Sequence, residues 1–176
     1  MRWDIRTLSI STLGQLQITL DQRDITDRFR TDKERALLLY LANERGGAHR
    51  RESLAELLWP ERPTGVGRTN LRQALLGVRK ALGDQNAADP YILAHADTLE
   101  FNQDRVHSLD VAMLREHISA VKTHTHAHMY QCSSCQDHLQ KAHALYQGDF
   151  LANYFLAEGF EFQEWMMLQR ERYLRE

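Results

Sequence analysis

Two groups of residues have types and spacings that could do chemistry. The first is Cys132-Ser133-Ser134-Cys135, with His124, His126 and His128 shortly before it and His138 just after. Thiolate and imidazole are the ligands zinc prefers, and four of them close a structural site. Cys132 and Cys135 with His124 and His128 make one such set, and His126 and His138 are alternates. His124, His126 and His128 alternate along the chain, so they cannot all converge from one helix. The same Cys-x-x-Cys as a redox pair would sit beside a thioredoxin-like strand-helix unit, which the surrounding pattern lacks. A polar loop carrying two unpaired thiols fits the residues as well as zinc does.

The second group is basic. From Arg62 to Leu82 the chain holds Arg62, Arg68, Arg72, Arg79 and Lys80 and no acid. Leu71, Ala74, Leu75, Val78 and Leu82 fall on one face at about 100° per residue, which predicts a helix that buries one side. Arg68, Arg72 and Arg79 form a stripe beside that face, and Thr69, Gln73, Leu76 and Lys80 continue the arc. Such a helix offers cations for phosphates and Asn70 or Gln73 for base edges. A solvated face of an ordinary helix is the alternative, because basic runs are common on surfaces.

The elements around this helix decide between them. Leu16, Ile18 and Leu20 alternate with polar residues, and residues 5 to 20 read as strands, with a short return strand around Ile25. Thr31 and Glu34 have the spacing of a capping box opening a helix that runs to about Glu44, where Gly46-Gly47 stops it. A second helix spans Arg50 to Leu58 and closes at Trp59-Pro60. A loop with Pro63, Gly65 and Gly67 then leads into the basic helix. Tyr91–Ala94 and Thr98–Phe101 read as a hairpin around His95-Ala96-Asp97. Strands, three helices and a hairpin, with the third helix basic, make a winged helix-turn-helix in which the hairpin is a wing over the neighbouring minor groove. The wing tip carries no Arg or Lys.

Beyond Val106 the pattern is helical. Asp110 is placed to cap a helix over Val111 to Val121. Further helices are expected from about Cys135 to Tyr146 and from Glu158 onward, the last burying Phe162, Trp165, Met166 and Tyr173. The expected division is 1–103 for the winged helix and 104–176 for the helical part.

Thr31 to Leu38, Arg51 to Pro60, Arg68 to Leu75 and Val78 to Gly83 together resemble the winged-helix domain of the Streptomyces antibiotic regulatory protein (SARP) family, of the OmpR/PhoB type. Leu145 to Leu151 and Glu161 to Arg172 resemble the start of the bacterial transcriptional activator domain (BTAD), a tetratricopeptide-like helical array. The chain departs from the family at Leu76 and Gly77, where a polar or basic pair is common. A glycine there costs about 1 kcal/mol relative to alanine unless close packing requires it. The resemblance implies an α+β winged helix followed by an all-α segment, double-stranded DNA as partner, direct repeats in promoters bound by two or more protomers, and contact with RNA polymerase. Arrays of this kind need several repeats, so the chain is expected to be part of a longer protein or to be completed by a partner.

The 176 residues are 43% hydrophobic and 26% charged, with a net charge of -2. Binding of nucleic acid must therefore come from a local patch. No phosphate loop, dinucleotide fingerprint or hydrolase motif is present, which argues against an enzyme. No apolar run approaches a membrane span and no signal segment opens the chain, so a soluble cytoplasmic protein is expected, with structural zinc as its one cofactor candidate. A helical protein-interaction module or a zinc-dependent sensor without direct DNA readout is the alternative function.

Overall fold

The computed structural model describes residues 6–44, 47–125 and 131–176. The first sheet contains β1 (Leu8–Ser11), β2 (Gln17–Leu20) and β3 (Arg23–Asp24). Leu8, Ile10, Ile18 and Leu20 are buried while their neighbours face out, as the alternation requires. β1 and β2 pair antiparallel with Leu8 opposite Leu20. A strand unforeseen in the sequence, β7 (His107–Leu109), completes this sheet by pairing parallel with β1. Three residues are too few to show a period, which is why it escapes a reading of the sequence. The expected boundary at residue 103 therefore lies ahead of a strand that hydrogen-bonds to the first sheet.

Three helices follow. In α1 (Asp32–Asn43) the Thr31 hydroxyl accepts the Glu34 amide at 3.2 Å, and the Glu34 carboxylate accepts the Arg30 amide at 2.8 Å. This is the expected capping box, shifted by one residue on its return bond. The short strand β4 (His49–Arg50) leads directly into α2 (Arg51–Leu58). The basic helix α3 spans Thr64–Leu82, so Gly65 and Gly67 lie inside it and not in the loop expected there. Pro63 supplies a fixed φ of -52° at its start. Gly67 is buried, and a Cβ there would sit 3.4 Å from that of Ala55 on α2. Gly83, at φ +70°, ends the helix in the left-handed conformation that glycine adopts freely.

The hairpin of β5 (Ile92–Ala94) and β6 (Thr98–Phe101) pairs Ile92 with Phe101, and β4 joins its other edge. The result is a three-stranded sheet in the order β4-β6-β5.

The helical part consists of α4 (Asp110–Thr123), α5 (Ser133–Leu145) and α6 (Phe160–Leu174). Asp110 was expected to cap α4. It does accept the Val111 amide, at 2.8 Å, but its carboxylate also takes the Thr12 amide at 2.5 Å, the Thr12 hydroxyl at 2.9 Å and the Leu13 amide at 2.6 Å. It is thus a clasp between the end of β1 and the start of α4. α6 packs back on the winged helix: Trp165 donates to the Glu44 carboxylate at 2.6 Å, and its ring lies 5.2 Å from that of Tyr40. Lys33 donates to the carbonyls of Leu58 and Glu158, and Arg170 donates to those of Phe150 and Leu151. One apolar cluster runs from Leu8 through Leu37, Leu75 and Phe101 to Phe162 and Tyr173. Both parts therefore share a core.

Candidate nucleic-acid interface

α3 buries Gly67, Leu71, Ala74, Leu75, Val78, Ala81 and Leu82. The opposite side carries Thr69, Arg72, Gln73, Leu76 and Lys80, all exposed. Leu76 is 49% exposed in the middle of this otherwise polar arc.

Arg68, Thr69 and Arg72 line an open groove together with Arg50 of β4, Arg51 and Glu52 of α2, and Ala96 and Asp97 of the wing tip. Four guanidinium groups thus border one depression on a chain whose net charge is negative. Arg50 and Arg51 were missed in the sequence. The signal was two consecutive cations opening a helix, where acids are the favoured residues. Arg51 also ties the wing down: its guanidinium donates to the His95 carbonyl at 3.0 and 3.2 Å, and its amide donates to the Asp97 carbonyl at 2.9 Å. Glu52 forms ion pairs with Arg68 and, at 3.4 Å, with Arg50.

Asn70, Gln73 and Lys80 line the other flank, facing Arg30, Thr31 and Glu34 at the start of α1. Asn70 is half-buried there. Gly77 faces the same flank. A Cβ on it would fall 2.3 Å from the Glu34 carboxyl carbon, so its packing role is to admit the carboxylate that caps α1.

Arg79 does not join Arg68 and Arg72 in a shared stripe. It is half-buried, and its guanidinium donates to the Ile92 carbonyl of the wing at 3.1 Å. Asp84 beside it is buried and accepts the Tyr91 amide at 2.6 Å. Burial pushes the Asp84 carboxyl above its ordinary value, against the pull of that amide and of Arg105, Arg79 and Arg6. Helical angle alone could not show this, because it gives the direction of Arg79 and not the carbonyl waiting there.

Among the histidines and cysteines, His124, Cys132 and Cys135 come together. The His124 Nδ1 is 3.2 Å from the Cys135 sulfur and 3.5 Å from that of Cys132. The Cys135 amide points at the Cys132 sulfur and holds that thiol below its ordinary value, while burial raises Cys135. His138 is not brought to this group. Its Nδ1 lies 3.0 Å from that of His117 on α4. His126 and His128 lie outside the described residues. No helix among the described residues is long and apolar enough to cross a membrane.

Residues 29–98 match the family described as "Transcriptional regulatory protein, C terminal". The span runs from the approach to α1 to the wing and contains the whole basic groove. No curated protein matches the chain. Among solved structures, Mycobacterium tuberculosis EmbR in complex with a low-affinity phosphopeptide is similar, with a TM-score of 0.69 and 21% identity. The similarity covers 95% of this chain and 42% of that one, so this chain spans less than half of EmbR's length. It takes in the helical part as well as the winged helix. Residues 29–98 thus match that family's model and have the winged-helix DNA-binding fold, and the structural likeness agrees in fold with a winged helix followed by a helical part.

Proposed function

We propose that the chain is a sequence-specific transcriptional activator that places the exposed face of α3 in the major groove of double-stranded DNA. The observation carrying this reading is the groove where Arg68 and Arg72 of α3 meet Arg50 of β4 and Arg51 of α2 beneath the wing. Phosphates of one strand suit that groove, because each guanidinium offers a fork of donors to phosphate oxygens. Arg72 and Gln73 project from the centre of the outward face and are the residues proposed to reach base edges. Leu76 beside them suits a thymine methyl, so the departure from the family at this position changes which base is favoured there. Thr69 is exposed on the same face and donates its hydroxyl to the Gly65 carbonyl at 3.0 Å. Lys80 and Asn70 serve the strand on the α1 side. Arg79 holds the wing against α3 and acts on DNA only through that placement.

The wing tip is proposed to lie over the adjacent minor groove. Its own residues add little charge, and Arg51 behind it supplies the cation. The helical part, which shares its core with the winged helix, then fixes the orientation of a second protomer or of RNA polymerase relative to DNA. Two or more protomers on direct repeats are the arrangement that the family resemblance implies. Selection of bound duplexes from a random pool tests this reading. It should return a motif of repeated half-sites in one orientation. Enrichment of no motif, with binding that depends only on salt, would favour an interaction module without direct readout.

A further inference from the structure

The α4–α5 hairpin carries a constellation that DNA binding does not use. His124 ends α4, where its amide donates to the Ala120 carbonyl at 3.2 Å. Cys132 stands immediately before α5, and Cys135 lies in the first turn, with the Gln136 amide closing that turn on the Cys132 carbonyl at 3.0 Å. The helix geometry turns both sulfurs to the side that faces His124. The three donor atoms lie within 4.8 Å of one another, and the two nitrogen-to-sulfur distances are 3.2 and 3.5 Å. Around a tetrahedral zinc with ordinary bond lengths, a nitrogen and a sulfur ligand stand about 3.5 Å apart. Two of the three edges thus already have nearly the length the ion requires. The positive end of α5 also favours thiolates at this place.

We infer that His124, Cys132 and Cys135 bind one zinc ion, which pins the end of α4 to the start of α5. The described residues fill three of its four positions. His138, which pairs with His117 one turn further along α5, is not the fourth. On binding, the two thiols release their protons to solvent and become thiolate ligands. The ion acts structurally. It closes the end of a hairpin whose other end is held to β1 by Asp110. The inference is independent of DNA recognition, since all three ligands lie away from the groove of α2 and α3.

The test uses the full chain, purified without a histidine tag and under reducing conditions. Elemental analysis should give about one equivalent of zinc, and both thiols should react with a thiol reagent only after a chelator is added. Replacing zinc by cobalt should produce sulfur-to-cobalt charge-transfer absorption, a signature that needs no variant to fold. Cys132→Ser, at a half-exposed position, and His124→Ala should each lower zinc content at least tenfold. Chelation should speed amide exchange in α4 and α5 and leave α3 unchanged. Less than a tenth of an equivalent of zinc, thiols that react at once, a Cys132–Cys135 disulfide, or full zinc retention by either variant would overturn the assignment.

Discussion

Replacing Asp110 should loosen the joint between the first sheet and α4, by an amount that its hydrogen bonds set. One carboxylate oxygen accepts the amides of Thr12 and Leu13, and the other accepts the Thr12 hydroxyl and the Val111 amide. Asp110→Ala leaves three backbone N–H groups without this acceptor in a site where Asp110 is only 7% exposed. An orphaned buried donor costs about 1–3 kcal/mol. Burial also lifts the Asp110 carboxyl above its ordinary value, a sign that the native site already bears a desolvation cost that alanine removes. The net loss should then be about 3 kcal/mol, near the low end of that sum. In Asp110→Asn the amide oxygen can keep Thr12 and Leu13, and the Thr12 hydroxyl can turn to accept from the new NH2 group. Only the Val111 amide is left out, for a loss of about 1.5 kcal/mol. Urea unfolding of the full chain, followed by tryptophan fluorescence, measures both. An alanine variant within about 0.5 kcal/mol of the parent, or an asparagine variant worse than alanine, would refute the reasoning.

Three further outcomes follow from named contacts. Gly77→Ala should gain about 1 kcal/mol of helix propensity but displace Glu34 from its bond to the Arg30 amide, for a net loss of about 1 kcal/mol. In a Glu34→Ala background the same change should stabilise, and a double-mutant cycle by urea unfolding that shows no coupling would remove the packing account of Gly77. Glu52→Gln should free Arg68 and tighten duplex binding by up to about fivefold at low salt, as read by fluorescence anisotropy; weaker binding would mean that Glu52 positions Arg68 usefully. Arg79→Ala should lower stability by about 1–2 kcal/mol through its bond to the Ile92 carbonyl while leaving the salt dependence of DNA binding in place. A lost salt increment with unchanged stability would return Arg79 to the DNA face.

How much of this was legible in the sequence differs by element. The burial of α3 was plain, because Leu71, Ala74, Leu75, Val78 and Leu82 repeat at helical spacing and the structure buries each of them. The capping box at Thr31 and the hairpin after α3 were legible for the same reason: each is a local pattern. What escaped depends on pairs distant in the chain. Gly77 has its reason in Glu34, Arg79 in the Ile92 carbonyl, and Asp110 in the amides of Thr12 and Leu13. Gly65 and Gly67 read as loop in the sequence and so hide the start of α3, whereas the structure has both inside the helix, with Gly67 buried against Ala55. In the Cys-His group, spacing put His124, Cys132 and Cys135 among the candidate ligands, but only the fold could send His138 to His117 instead.

On the proposed reading, the α3 face grips DNA through Arg72 and its neighbours in the groove. The most direct test is the slope of log affinity against log salt for the selected duplex, measured for the parent chain and for Arg72→Ala. Loss of one phosphate-neutralising side chain should reduce the slope by about one unit, and a loss of base contact should weaken discrimination against a mismatched duplex by about 1–3 kcal/mol. At least one of these changes must appear in a variant whose unfolding matches that of the parent. An Arg72→Ala chain with the parent's affinity, slope and discrimination would contradict the placement of α3 on DNA.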